Sequence, residues 1–343
     1  MVHSKSPIIV QGIPTEPSRT TSIDRYVSSA ELYHVKPVKF SDVETYYLLQ
    51  GLNGPCPLLA VCNVLLLRGI IAIPGGSRDV SFEWVTTQLA NLMMDKNTGP
   101  DGELSRGSSL DDCLSVLGSL NKGLEVNVRF LSVDGLEETK ETSVFKNLGI
   151  ASYHGWIVSE DDTSAYPYVS RISYNEAVEK VAVCEEIKSG MVSANDFELI
   201  SKYKEVIQEG EAISNWLSQT SSQLTTDGVI QLNSRMDNGG LAVLFRNNHF
   251  SVLHKRDDRL FSLVTDVGFR HSEIVWESLD QVDGDTQYFT QRFLPVLDSD
   301  LAANDFEVAL RLQYENSANI AQVAEPPPAS QPIRRRKKKC TIM

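Results

Sequence analysis

The segment QGLNGPCPLLAVCNVLLLRG at residues 50–69 constrains the fold more than any other part of this chain. Residues 57–67 are almost wholly apolar, which predicts one helix buried in a core, and the run is too short to span a bilayer. It follows glycines, prolines and a cysteine that a helix by itself does not require. Cys56 precedes Pro57, and proline is favoured in the first turn of a helix. We therefore expect the Cys56 sulfur at or near the helix N-cap.

A cysteine in that position suits nucleophilic chemistry. The free backbone N–H groups and the dipole of a helix N-terminus stabilise a thiolate, as in papain-like hydrolases. Gly51 and Gly54 would let the preceding backbone turn tightly, and the Gln50 amide could donate to an oxyanion. The alternative is that Cys56 is only a small buried residue ahead of a core helix. That second interpretation is the one we give to three other cysteines, Cys62, Cys113 and Cys184.

A nucleophilic thiol needs a base, and His249 fits best among the six histidines. It stands in FRNNHFSVLH, at the start of a predicted strand that follows a polar bend. In cysteine hydrolases the base typically comes late in the chain, on a strand that faces the nucleophile's helix. A histidine that merely begins a strand is the alternative.

The next connection, RDDR, predicts a hairpin that offers a third catalytic member. If Lys255 pairs with Leu260, His249 falls opposite Asp266, and a slip of one residue puts Thr265 there instead. Cross-strand partners share a face, so either side chain could orient the imidazole. Asp266 is the stronger electrostatic partner, but the pattern leaves the choice open.

The order of elements predicts an α+β fold with a helical part and an antiparallel sheet. Helical patterns cover 82–95, 110–120, 177–187 and a broken stretch at 194–224, and Ser173 with Glu176 forms a capping-box pattern. Strand-like alternation covers 124–131, 241–245, 249–255 and 260–266.

Composition excludes several classes of protein. The 343 residues contain 45 acidic and 32 basic side chains, a net charge of −13, which argues against nucleic-acid binding. Five cysteines, with no CxxC pair and no apolar N-terminal segment, argue against a disulfide framework, a zinc site and a signal peptide. We expect an intracellular protein without a metal or other cofactor.

Several long blocks resemble the MINDY family of deubiquitinases, and most of all a fungal member. They include QGLNGPCPLLAVCNVLLLRG, LGIASYHGW, LAVLFRNNHFSVLHK and LFSLVTDVGF, in order between residues 46 and 285. The resemblance implies a variant of the papain-like cysteine peptidase fold and cleavage of lysine-forty-eight-linked ubiquitin chains without zinc or nucleotide. It implies the following roles: Cys56 as nucleophile, His249 as base and Gln50 as oxyanion residue. Thr265 aligns with a residue that has been considered the third member, so the choice between Thr265 and Asp266 stays open. It also suggests three apolar positions that contact ubiquitin, namely Val126, Trp156 and Phe245. The alternative is that these residues belong to the ordinary core.

The C-terminal part predicts two further functions. In DFEVALRLQYE, four residues share one helical face and resemble an inverted ubiquitin-interacting motif: Asp305, Val308, Ala309 and Leu312. The alternative is a terminal helix that packs on the body of the protein. The final CTIM fits a prenylation box at Cys340 with a farnesyl preference, directly after RRRKKK. One prenyl chain plus a polybasic stretch attaches a protein to an anionic membrane surface. Nuclear import is the alternative function of the basic run.

These patterns predict four regions: a disordered segment at 1–25, a catalytic domain at 26–300, a ubiquitin-interacting helix at 301–317 and a flexible prenylated tail at 318–343. The leading hypothesis is a thiol-dependent deubiquitinase in the cytoplasm, held peripherally on a membrane. One alternative is a non-catalytic, membrane-tethered ubiquitin-binding adaptor. Another is a papain-like protease of ordinary peptides, which would not account for the ubiquitin-interacting helix.

Overall fold

The structure, a computed structural model, describes the chain in five stretches. These are residues 32–51, 54–97, 110–190, 197–282 and 286–297. The chain divides into two compact units, Met1–Val296 and Leu297–Met343. Almost all of the second unit lies outside the described residues, so the predicted regions after residue 300 stay predictions.

A three-stranded antiparallel sheet opens the described chain. Its strands are β1 (Leu32–Phe40), β2 (Val43–Leu48) and β3 (Asp79–Ser81), in the order β2-β1-β3. Ser41 and Asp42 join β1 to β2 with φ values of 48° and 65°, the conformation that two-residue hairpin turns require. These three strands were not predicted from the sequence.

Eight α-helices lie within the described residues. They are α1 (Cys56–Leu67), α2 (Phe82–Asn97), α3 (Leu110–Lys122), α4 (Ser143–Asn147), α5 (Tyr166–Val169), α6 (Tyr174–Lys188), α7 (Phe197–Gln219) and α8 (Thr226–Arg235). The predicted capping box is present at α6, where Ser173 and Glu176 exchange side-chain and backbone hydrogen bonds. The long stretch predicted at 194–224 is α7 followed by a turn, and α8 was not predicted.

A six-stranded sheet forms the second half of the described chain. Its strands are β4 (Ser152–His154), β5 (Leu241–Arg246), β6 (His249–Arg256), β7 (Arg259–Leu263), β8 (Ile274–Ser278) and β9 (Tyr288–Thr290), in that spatial order. Only the β4–β5 pair is parallel, and the other pairs in this sheet are antiparallel. Helices together with two mainly antiparallel sheets confirm the predicted α+β class.

The core surrounds α1, all twelve residues of which are buried. The helix packs against β2 on one side and against β5 and β6 on another. Alternate residues of β5 pack into different hydrophobic clusters. Val243 belongs to the cluster around α1, and Leu244 belongs to a smaller cluster that includes a residue of α8. The large sheet is therefore buried on both faces, and α1 is fixed between the two sheets.

Residues 124–131 do not form the predicted strand, although buried and more exposed side chains do alternate along them. Leu124, Val126, Val128 and Phe130 are buried, and all four residues between and after them are more exposed. The backbone there makes only isolated bridges, Val128 with Leu136 and Arg129 with Ser173. The apolar alternation therefore reflects an extended segment laid on the core rather than a member of a ladder.

Candidate active site

Cys56 begins α1, as the sequence predicts. Pro55 is its N-cap residue and Pro57 lies in the first turn, where proline's missing N–H removes no helical hydrogen bond. The Cys56 backbone N–H donates to the Gly54 carbonyl oxygen at 2.9 Å. The cysteine is only 7 % exposed, so it is buried rather than in open solvent.

Burial decides the charge of the Cys56 thiol. Desolvation raises the pKa of the thiol above its ordinary value, while the backbone N–H groups of Phe250 and of Cys56 itself act in the opposite direction without prevailing. The sequence predicted an ionised sulfur from the helix N-terminus alone. The structure corrects this expectation, because the thiol is neutral at pH 7 in the conformation described.

His249 begins β6 after a two-residue turn, where the sequence placed it. Asn247 and Asn248 form that turn with φ values of 50° and 58°, and His249 pairs with Arg246 across it. Because the backbone N–H of the next residue, Phe250, is directed to the Cys56 sulfur, the start of β6 lies beside Cys56. His249 is exposed to solvent, but the protein atoms around its ring lower its pKa below 6.5 through desolvation, so the imidazole is neutral at pH 7 and can accept a proton.

Gln50 converges with Cys56 on a single oxygen. The Gln50 side-chain Nε2 donates to the Gly54 carbonyl at 2.9 Å, and this is the same oxygen that accepts the Cys56 backbone N–H. A side-chain amide and the nucleophile's own N–H are two donors suited to an oxyanion. In the described conformation the Gly54 carbonyl therefore accepts hydrogen bonds from both donors.

Thr265 and Asp266 lie next to Gln50 rather than in a ladder with His249. Lys255 does pair with Leu260, as predicted, but the β6–β7 ladder ends at Leu253–Ser262. The register is therefore the predicted one, which aligns His249 with Asp266, but the ladder stops before it reaches them and provides no strand pairing there.

The segment after β7 turns toward Gln50 instead. The Gln50 N–H donates to the Thr265 carbonyl at 2.6 Å, and the Val267 N–H donates to the Gln50 carbonyl at 3.1 Å. The Asp266 carboxylate accepts the Gly268 N–H at 2.6 Å and so caps a short 3₁₀ turn, Val267–Phe269. Which residue orients His249 stays open.

Gln50, His249, Thr265 and Asp266 line one open cleft of about 760 Å³, whereas Cys56 is not among its lining residues. Two charged residues that also line the cleft, Arg246 and Glu277, were not predicted. The Arg246 guanidinium donates to the carbonyls of Ser222 and Val282, and burial raises the pKa of Glu277. Glu277 could have been found as the one charged residue of the apolar strand IVWES.

The three apolar residues nominated for ubiquitin contact belong to the core. Val126 is 9 % exposed, Trp156 5 % and Phe245 7 %. Trp156 stacks on Trp216 and donates its indole N–H to Thr220, while Phe245 packs against Phe250. Their burial agrees with the alternative interpretation, in which the three residues are ordinary core.

The remaining predicted residues lie outside the described part of the chain: Asp305, Val308, Ala309, Leu312 and Cys340. Among the described residues, no group of three or more His, Cys, Asp or Glu side chains is arranged to hold a metal ion. Within the same stretches, none of the helices has the length and apolar character needed to cross a membrane.

Comparison with known proteins gives one family and several relatives. The family model described as MINDY deubiquitinase matches residues 31–293. Human ubiquitin carboxyl-terminal hydrolase MINDY-2 is 35 % identical over 311 residues, which cover 86 % of this chain and 48 % of the relative. Mouse ubiquitin carboxyl-terminal hydrolase MINDY-1 is 36 % identical over 267 residues, 77 % of this chain and 54 % of the relative. The chain thus spans about half the length of these mammalian relatives, and the expected fungal origin stays a prediction.

Proposed function

The chain belongs to the MINDY deubiquitinase family, and from this premise we propose that it is a cysteine-type deubiquitinase that hydrolyses isopeptide bonds in polyubiquitin. One observation of the site carries the proposal. The amide of Gln50 and the N–H of Cys56 converge on one carbonyl oxygen at the start of a buried helix. Two donors directed to one point stabilise the oxyanion that forms when the neighbouring sulfur attacks an acyl carbon.

The first half of the reaction follows from these positions. Neutral His249 takes the proton of the Cys56 thiol, and the sulfur attacks the isopeptide carbonyl carbon. The carbonyl oxygen becomes an oxyanion that accepts hydrogen bonds from the Gln50 amide and the Cys56 N–H. His249 then returns the proton to the departing lysine amine, and a thioester between ubiquitin and Cys56 remains.

The second half regenerates the enzyme. A water molecule gives a proton to His249 and attacks the thioester, the ubiquitin carboxylate leaves, and the thiol is restored. Before either half, the Gly54 carbonyl has to leave the two donors so that the substrate oxygen can replace it. Substrate binding would drive that rearrangement, as loop movements do in many enzymes.

The finer parts of the proposal rest on the resemblance and on sequence motifs. We propose selectivity for lysine-forty-eight-linked chains, with the 301–317 segment as an additional ubiquitin-binding helix. We also propose that farnesylation of Cys340, together with the basic run before it, attaches the protein peripherally to an anionic membrane on its cytoplasmic side. A Cys340→Ser variant that stays in the membrane fraction would refute the lipid attachment.

The activity is tested by incubating the protein with tetra-ubiquitin of the proposed linkage and, separately, with casein. We expect the ubiquitin chains to shorten and casein to stay intact. Cys56→Ala should abolish cleavage, whereas Cys62→Ala, which removes a fully buried thiol of the same helix, should keep it. Binding without cleavage by the wild-type protein would indicate the adaptor, and loss of casein would indicate a general protease.

A further inference from the structure

Asn63 makes two buried hydrogen bonds to β2 and has no role in the reaction proposed above. Its side chain is fully buried on α1. The Asn63 Oδ1 accepts the Leu48 backbone N–H at 2.7 Å, and the Asn63 Nδ2 donates to the Leu48 carbonyl at 3.0 Å. One amide thus satisfies both backbone groups of one residue of β2.

The two bonds replace a missing neighbour strand. β2 is an edge strand of its sheet, and the next residue, Leu49, donates its N–H inward to the His34 carbonyl on β1. The N–H and C=O of Leu48 therefore point away from β1, into the core beside α1. Without Asn63 both groups would be buried and unpaired, which is costly.

The positions on either side of this contact are the catalytic ones. Cys56 lies seven residues before Asn63 on α1, two turns away on the same face and about 10 Å along the axis. Gln50 lies two residues after Leu48, about 7 Å along an extended chain. The Asn63–Leu48 contact therefore joins the helix that carries the nucleophile to the strand that delivers the oxyanion donor.

We propose that Asn63 is a positioning residue, which holds the Gln50 amide at a fixed distance from the Cys56 sulfur while Gly54 between them rearranges. The inference rests on the proposed function and adds a residue that touches neither substrate nor thiol. The Gly54 carbonyl has to move for catalysis, and only fixed ends on both sides keep the donor and the nucleophile aligned during that movement. Thr265 and Val267 hold the Gln50 backbone from the other side, but they do not connect it to α1.

A second contact between the same two elements provides a matched control. The Thr45 hydroxyl of β2 donates to the Leu66 carbonyl of α1 at 3.1 Å. This bond also joins β2 to α1, but it lies near the end of the helix remote from Cys56. Thr45→Val removes the bond at almost constant shape, so it weakens the packing of the two elements without changing the catalytic end.

The experiment compares the wild-type protein with Asn63→Leu, Asn63→Ser and Thr45→Val in steady-state cleavage of tetra-ubiquitin. Each variant is assayed well below its melting temperature, with folding checked by circular dichroism. We expect each folded Asn63 variant to lose at least about tenfold in kcat with KM changed less than about twofold, since removal of a single oxyanion donor costs about 10²–10³. Thr45→Val should lower the melting temperature and keep both kinetic parameters within about twofold of the wild-type values.

Each outcome is decisive. Unchanged kcat in a folded Asn63 variant, or an equal loss of kcat in Thr45→Val, would overturn the positioning role. Failure of both Asn63 variants to fold would overturn it too, because Asn63 would then be a residue of stability alone. If the wild-type protein itself cleaves no ubiquitin chain, the proposed function fails, and this is recognisable before any variant is compared.

Discussion

Two buried histidines should make the protein unstable in mild acid. His254 is 3 % exposed and His154 is 1 % exposed, and burial lowers the pKa of each from 6.5 to about 4. In the unfolded chain both would have ordinary values. The unfolded state therefore binds more protons between pH 6.5 and about 4, and stability falls as the pH falls through this window.

The magnitude follows from the pKa difference. A fall in pKa from 6.5 to about 4 corresponds to roughly 3 kcal/mol in the free energy of unfolding for each histidine. In the middle of the window each histidine lowers that free energy by about 1.4 kcal/mol per pH unit as the pH falls. Together they approach the whole stability of a typical domain, which is about 5–15 kcal/mol. We expect the folded state to be lost near pH 4.

His254→Phe isolates one of the two contributions. The ring of His254 packs among Phe40, Trp276 and Phe293, so phenylalanine can replace it. The Gly240 carbonyl, which contacts His254 Nδ1, keeps the Lys255 N–H as a donor.

The assay is urea unfolding followed by tryptophan fluorescence at several pH values between 4.5 and 7. The variant should lose about 1.4 kcal/mol less per pH unit than the wild-type protein. Equal pH dependence of the unfolding free energy in the two proteins would show that the fold does not hold His254 neutral.

Three further outcomes are expected. The kcat/KM for ubiquitin chains should fall on the acid side of pH 6.5, measured as a pH–rate profile, because protonated His249 cannot accept the thiol proton; an acid limb above pH 7 would contradict this. Lys36 is buried, donates to the carbonyls of Phe269 and Ile274, and has a pKa lowered to about 8. Between pH 8 and 10.5 it should make stability rise with pH relative to Lys36→Met in urea unfolding, and parallel curves would count against it. Thr225→Ala should cost about 1–2 kcal/mol by thermal unfolding, because Thr225 caps α8 through the Gly228 N–H; an unchanged melting temperature would show that the cap contributes nothing.

Local signals were enough to predict the elements that carry the site. Pro57 marks the start of α1, and Ser173 with Glu176 marks the start of α6. The β1–β2 hairpin was missed because Pro37 interrupts its first strand, and a proline inside a run argues against a strand. In the structure Pro37 nevertheless pairs with Tyr46, so the surrounding sheet outweighs the local preference.

The chemistry of the site was less predictable than its residues. The position of Cys56 at a helix start is a local property, and the sequence showed it. The charge of its thiol depends on how many protein atoms surround it, which tertiary packing decides. The contact of Gln50 with Gly54, and of Asn63 with Leu48, likewise depends on how β2 and α1 come together, and no spacing in the sequence encodes that.

The identity of the nucleophile is tested most directly with ubiquitin that carries an electrophile at its C-terminus. Such a probe acylates or alkylates only a thiol that is activated while ubiquitin's tail lies in the site. We expect a one-to-one adduct on Cys56, located by fragmentation mass spectrometry, that forms normally in Cys62→Ala and not at all in a folded Cys56→Ala protein. An adduct on Cys62, or none on the folded wild-type protein, would show that Cys56 is not the nucleophile.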